Sequence, residues 1–178
     1  MGDTPSADKP LTDRLLRSWT RCRRRAWLDR HGDDRQRLYT AHRTLQLDDQ
    51  QRSFVALLAK KPGHGLQACA QGEAGVVGLR LRSTTRDGLA VEAHPALLQR
   101  RAGSSRWGSF VYRPVLARQG RRLTREHRLQ LALAGRLLER LQQAPVPDGL
   151  ALAGSGRRLE RETVPLGGGL QHQLDESL

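Results

Sequence analysis

A mixed α/β domain, with a small central sheet flanked by helices, is the fold class this sequence predicts. Three observations point to it. Apolar residues recur at helical spacing towards both ends of the chain. The middle is rich in Val, Tyr, Phe and turn residues at strand spacing. The longest helical stretch follows directly on those strands, so one face of a sheet has a helix to cover it. At 178 residues the length suits one domain.

Residues 1–10 are small, polar and proline-containing, and are expected to form a disordered lead-in to a single domain over 11–178. Thr12 is placed to cap a helix over about 13–29. Leu15, Trp19, Cys22 and Ala26, widened by Leu16 and Trp27, form its expected buried stripe. Arg14, Arg17, Arg21, Arg24 and Arg25 occupy the opposite face. A polar break at 31–37 precedes a second helix over about 47–60, with Leu47, Phe54, Leu57 and Leu58 inward, which Lys-Lys-Pro-Gly-His-Gly ends.

Val76, Val77, Leu79 and Leu81 predict one strand, and Asp87-Gly88 the turn after it. A second strand over about 89–100 is interrupted by Pro95. A turn over 102–108 leads to a third strand over about 109–118, where Pro114 suggests an edge or a bulge. Thr124 then caps the longest helix, about 125–143, with Leu131, Ala134, Leu137, Leu138 and Leu141 inward. Pro-Val-Pro-Asp-Gly stops it. Residues 150–154 form a short last strand, 154–162 read as polar, and 170–178 begin a helix. The order is α-α-β-β-β-α-β.

The chain carries 31 Lys+Arg against 18 Asp+Glu, a net charge of +13, and a pI near 11.4. Only Lys9, Lys60 and Lys61 are lysine, and Ile and Asn are absent; a GC-rich coding sequence favours arginine in this way. Such a bias exchanges one cation for another and leaves +13 unexplained. A charge this high favours a polyanionic partner. No apolar run reaches the ~18–20 residues of a membrane span, and the N-terminal stretch lacks the apolar region of a secretory signal. The expected location is the cytoplasm, with no membrane partner. Two cysteines, Cys22 and Cys69, cannot build a disulfide scaffold or a four-cysteine zinc site.

The stretch 93–125 holds eight arginines and no Asp or Glu. Trp107, Phe110 and Tyr112 are interleaved with them, a composition that tracks phosphate and stacks on bases. The alternative is a solvated arginine edge with the aromatics in the core. On the first helix, Arg21, Arg23, Arg24 and Arg25 are either solvated, with Asp29 at i+4 from Arg25, or a second contact surface. Glu92 and His94 share one face of a strand, either as a metal or proton-transfer pair or as a surface salt bridge. The glycines of 72–78 open a strand and do not link strand to helix, so they do not read as a phosphate loop.

Two segments carry a resemblance. Residues 11–33, LTDRLLRSWTRCRRRAWLDRHGD, resemble the opening helix of RecB-like nucleases, and residues 94–142 resemble that family's central block. The superfamily is PD-(D/E)XK, which includes RecB-type and CRISPR-adaptation nucleases. The resemblance implies a restriction-endonuclease-like core and metal-dependent phosphodiester hydrolysis. In that chemistry two acids hold Mg²⁺ or Mn²⁺, the metal activates water, and a lysine orients it.

Here the slot for the first acid is Ala96, the slot for the second is Leu116, and the lysine slot is Arg118, which cannot act as a base. Of the downstream Gln-x-x-x-Tyr motif Gln130 is present and Ala134 replaces the aromatic. Some relatives hold a four-cysteine iron–sulfur cluster. Cys22 matches its first ligand, but the cysteine-rich C-terminal region is missing, so this chain alone does not assemble it.

The expectation is therefore a catalytically impaired nuclease-family protein with no required cofactor. It would bind DNA rather than RNA through Arg106, Arg113, Arg118, Arg121 and Arg122, with Trp107 as a stacking platform. A separate protein could supply the missing region. Two rivals remain: an active Mg²⁺- or Mn²⁺-dependent nuclease using displaced acids Glu92 and Glu126, and a structural or interaction remnant without activity.

Overall fold

The structure is a computed structural model that describes residues 9–33, 41–85, 87–118, 122–155 and 158–178. The expected lead-in falls almost wholly on residues 1–8, outside the described residues. Six strands form the main sheet: β2 (Gly63–His64), β3 (Gly75–Val77), β6 (Leu97–Ser105), β7 (Gly108–Arg118), β8 (Asp148–Ser155) and β9 (Arg158–Pro165), in the order β2-β3-β6-β7-β8-β9. A smaller sheet joins β1 (Leu11–Thr12), β5 (Ala90–Ala93) and β4 (Leu81–Thr84) in the order β1-β5-β4. The helices are α1 (Asp13–Arg21), α2 (Arg23–His31), α3 (Ala41–Leu58), α4 (Gly65–Ala70), α5 (Arg125–Gln142) and α6 (Gly169–Asp175). The predicted mixed α/β class holds.

β7 and β8 are parallel neighbours, Val115 to Leu150 through Arg118 to Ala153. Parallel neighbours need a crossover, and α5 supplies it. Strand alternation then assigns the two faces of the sheet. Leu98, Ala151 and Leu116 pack with α5 and its Leu131, Leu133 and Leu138. Leu97, Val115, Leu150 and Leu152 pack on the other face with Phe54 of α3. Both faces are covered, which explains the apolar runs in β7 and β8.

Several expectations are corrected. The first helix is two: Cys22 is extended at φ −163 and ψ 116, and separates α1 from α2. Its N–H still donates to the Ser18 carbonyl at 2.8 Å, and its own carbonyl accepts from Ala26 N–H at 3.1 Å. The direction change redistributes the expected stripe. Leu16 and Ala26 are buried, while Trp19 is 47% and Trp27 61% exposed, and Cys22 is exposed. Likewise Leu47 of α3 is exposed where Phe54 is buried.

The predicted strand through Val76 and Leu81 is also two, in different sheets. Gly78 makes the switch at φ +73, the left-handed region that favours glycine. Pro95 likewise divides β5 in the small sheet from β6 in the large one. The predicted turn over 102–108 narrows to Arg106 and Trp107, because β6 runs through Ser105.

Pro114 lies in an interior strand and not at a bulge; the register shift is between Ala102 and Ser105. Pro114 pairs with Leu98 of β6, whereas the ladder to β8 begins one residue later at Val115. The strand is therefore paired on one side at this residue, where a missing N–H is tolerated. The stretch read as polar, 154–162, holds the greater part of β9, which pairs with β8 along its length. The Asp87-Gly88 turn, β7, α5, β8 and the terminal helix are found where the sequence places them.

Candidate functional site

A cleft of about 770 Å³ opens between α1, α3, α5 and the edge where β5 passes into β6. Three positions separated in sequence meet in its wall: Ala96 after β5, Leu116 on β7 and Gln130 on α5. Ala134 joins them one helical turn after Gln130. The floor is apolar, since Leu116 also packs against the main core.

The rim is cationic. Arg14, Arg17, Arg21 and Arg25 follow one another at helical steps along α1 and into α2, and all four line the cleft. Among the described residues lining it, Asp13 is the one carboxylate. The arginine face read from the sequence is this rim, with Arg24 turned to the opposite side of the helix pair. Asp29 steadies the rim. It accepts from the Ser18 hydroxyl and lies 3.7 Å from Arg14 and 4.0 Å from Arg25.

Asp13 begins α1 and its Oδ1 accepts from the His94 backbone N–H at 3.4 Å. Burial pushes its carboxyl above the ordinary range, against the opposing pull of His94. The His94 ring bridges two acids, with Nε2 2.7 Å from Glu92 and Nδ1 3.6 Å from Asp13. Glu92 is buried beneath His94, Arg82 and Arg80. Glu92, His94, Arg80 and Arg82 thus form one polar cluster at the cleft edge.

Glu126, in the first turn of α5, is engaged by Arg21. Burial raises its carboxyl, but the hydrogen bond and charge of Arg21 outweigh that and hold it below the ordinary range. Its neighbour His127 is pushed down, first by burial and further by Arg17, Arg21 and Arg118. The two candidate displaced acids are therefore each occupied by arginine. Among the described residues no group of three or more His, Cys, Asp or Glu is placed to hold a metal ion.

The arginines singled out in 93–125 do not share one surface. Arg106 sits at the β6–β7 turn, where its guanidinium reaches the Leu141 carbonyl at the end of α5. Arg122 is exposed just before the start of α5. The 18 residues of α5 separate them by about 27 Å. Arg121 lies outside the described residues.

Arg113 is buried, donating to Asp148 at 2.7 Å and to Gln99 at 3.1 and 3.0 Å. Arg118 is buried against Glu162 at 3.4 Å and Glu160 at 4.0 Å. Both are internal counter-ions, correcting their reading as surface phosphate contacts. Trp107 is half-buried on the core, edge-on to Tyr112 with ring centroids 5.8 Å apart, which corrects its reading as an open stacking platform. Asp148, Glu160 and Glu162 were missed as partners. Their signal was the two-residue spacing of Glu160 and Glu162 on one strand face.

Cys22 is exposed at the α1–α2 elbow, whereas the Cys69 thiol is buried and pushed up to about 11. Among the described residues no helix is long and apolar enough to cross a membrane.

No protein-family model and no curated protein sequence matches the chain. Its fold is similar to that in the crystal structure of SSO0001, with a TM-score of 0.50 and 11% sequence identity over 95% of this chain and 74% of that one. At that identity the likeness concerns fold alone.

Proposed function

We propose that the protein is a RecB-like member of the PD-(D/E)XK superfamily, with a restriction-endonuclease-like core, that holds nucleic acid without cutting it. The observation that carries this reading is the convergence of Ala96, Leu116 and Gln130 on one cleft beneath four arginines. Pairing of β6 with β7 brings Ala96 beside Leu116, and α5 adds Gln130. That shared cleft supports the assignment, although the lysine slot, Arg118, does not line it.

The chemistry of the cleft follows from its lining. A divalent ion needs oxygen ligands, and the two acid slots offer a methyl group and an isobutyl group. What the rim offers is positive charge. Arg14 and Arg25 are exposed, and each shares Asp29 at a distance. Such guanidinium groups exchange a weak partner for phosphate oxygens, release counterions and bind with little regard to sequence. The Arg21–Glu126 pair ties α1 to α5 across the cleft.

The test is fluorescence anisotropy of a labelled DNA strand across a salt series. Affinity falls steeply between ~50 and ~200 mM salt. The variant Arg14→Glu with Arg25→Glu binds more weakly and shows a log–log slope shallower by about 1–2. Absence of binding at ~50 mM salt, or a variant indistinguishable from the parent, removes the proposal.

A further inference from the structure

α1 and α2 form a ridge between two concavities. One is the arginine-rimmed cleft. The other, of about 650 Å³, lies on the opposite side of the same helices, against the C-terminal end of the described chain. That volume is within the range of small-ligand sites, about 300–1,000 Å³. Its floor is Leu11, Leu15, Leu16 and Ala26. At its mouth stand Trp19 and Trp27, the two most solvent-exposed tryptophans, at 47% and 61%.

Three arginines rim this second pocket: Arg23, Arg24 and Arg30. The Arg23 guanidinium lies 5.2 Å from the Trp19 ring centroid, a cation–π arrangement. No carboxylate among the described residues forms an ion pair with any of these three. Glu176 is the one acidic side chain among the described residues lining the pocket, so the three guanidinium groups outnumber it. Exposed indoles beside that excess of positive charge suit a ligand with a flat aromatic part and an anionic part. Aliphatic amphiphiles have the second feature without the first. Duplex DNA has both but keeps its bases stacked and out of reach.

We infer that this pocket takes an unstacked nucleobase of a single strand whose phosphates cross the arginine ridge of α1 and α2. The inference rests on the nucleic-acid reading above and adds strandedness to it. Phosphates engage Arg14 and Arg25 on one side of the ridge and Arg23 and Arg24 on the other. The base between them leaves water for the Trp19 and Trp27 faces. Base–aromatic stacking tolerates any base, so no sequence preference accompanies it.

Three ligands at one salt concentration test it on the full chain: oligothymidylate of about 12 nucleotides, an abasic strand with the same number of phosphates, and a duplex of that length. Oligothymidylate binds about tenfold more tightly than the abasic strand and quenches tryptophan emission. In Trp19→Ala with Trp27→Ala the preference disappears and the two affinities converge. Equal affinity of the parent protein for oligothymidylate and the abasic strand overturns the base pocket while leaving phosphate binding intact. Tighter binding of the duplex overturns it too. If none of the three binds at ~50 mM salt, the nucleic-acid reading falls and this inference with it. The comparison of ligands on the parent protein does not depend on how the double variant folds.

Discussion

Arg113 shows what a charged residue does once it is inside. Its guanidinium is nearly solvent-free and is matched by Asp148 and Gln99. Removing one partner from such a group leaves charge without compensation, which costs more than the pair contributes. Asp148→Ala is expected to destabilise the protein by about 1–3 kcal/mol, read as a lower urea midpoint with unchanged slope.

The acids at the cleft titrate in opposite senses. Glu126 is held below the ordinary 4.5, so its contribution is present above that value and is lost as pH falls through the folded pKa. Asp13 is raised above the ordinary 3.8, so its contribution is full below that value and is lost as pH rises through the folded pKa. The stability advantage of the parent over Glu126→Gln is therefore expected to shrink as pH falls below about 4.5. Asp13→Asn is expected to gain on the parent as pH rises above about 3.8. Urea unfolding between pH 7 and 3 reads both; parallel curves for either variant contradict its assignment.

At the scale of elements, the decisive events are interruptions. Cys22 turns one helix into two, and Gly78 sends the chain from one sheet to the other. Gly78 combines φ +73 with no room for a side chain, since a Cβ there would lie 2.1 Å from His64 Nε2. Gly78→Ala is expected to cost about 1–2 kcal/mol from backbone conformation, more if the His64 ring cannot move aside. A thermal melt within one degree of the parent would contradict this. Leu138, fully buried on α5, is the corresponding core test. Leu138→Ala is expected to cost about 2–5 kcal/mol, measured by urea unfolding.

Much of this level was legible, because α5, β7 and β8 each carry a periodic apolar signal longer than one turn. The β8–β9 hairpin was half legible. β8 is apolar, but β9 sets Glu160, Glu162 and Val164 on one face and Leu159, Arg161 and Thr163 on the other, a pattern easily taken for a polar loop. What local periodicity does not contain is a change of sheet, since Val76 and Leu81 satisfy the same strand pattern on either side of Gly78.

At the scale of the whole molecule, the proposed phosphate-binding cleft carries Ala96 and Leu116 where a metal would need oxygen ligands. Supplying them is the direct check. Ala96→Asp with Leu116→Glu is expected to bind about one Mn²⁺ per chain, seen by isothermal titration and by loss of the free-ion paramagnetic resonance signal. The parent, under the same conditions, leaves that signal unchanged. An ordered Mn²⁺ at the parent cleft would contradict the reading, as would Mn²⁺-dependent cleavage that Glu92→Ala abolishes.

The α/β class, the long crossover helix and the excess of positive charge are written in the chain itself, because periodicity and net charge are sums over neighbouring residues. So is the arginine row of α1. Which arginines face solvent and which tryptophans are open follows from long-range packing. That packing buries Arg113 and Arg118 against acids 30 or more residues away in the chain, seats Trp107 on Tyr112, and leaves Trp19 and Trp27 exposed. Whether a charge or a ring is free depends on what packs against it; here the partners come from β7, β8 and β9, while the α1–α2 elbow leaves Trp19 and Trp27 in solvent.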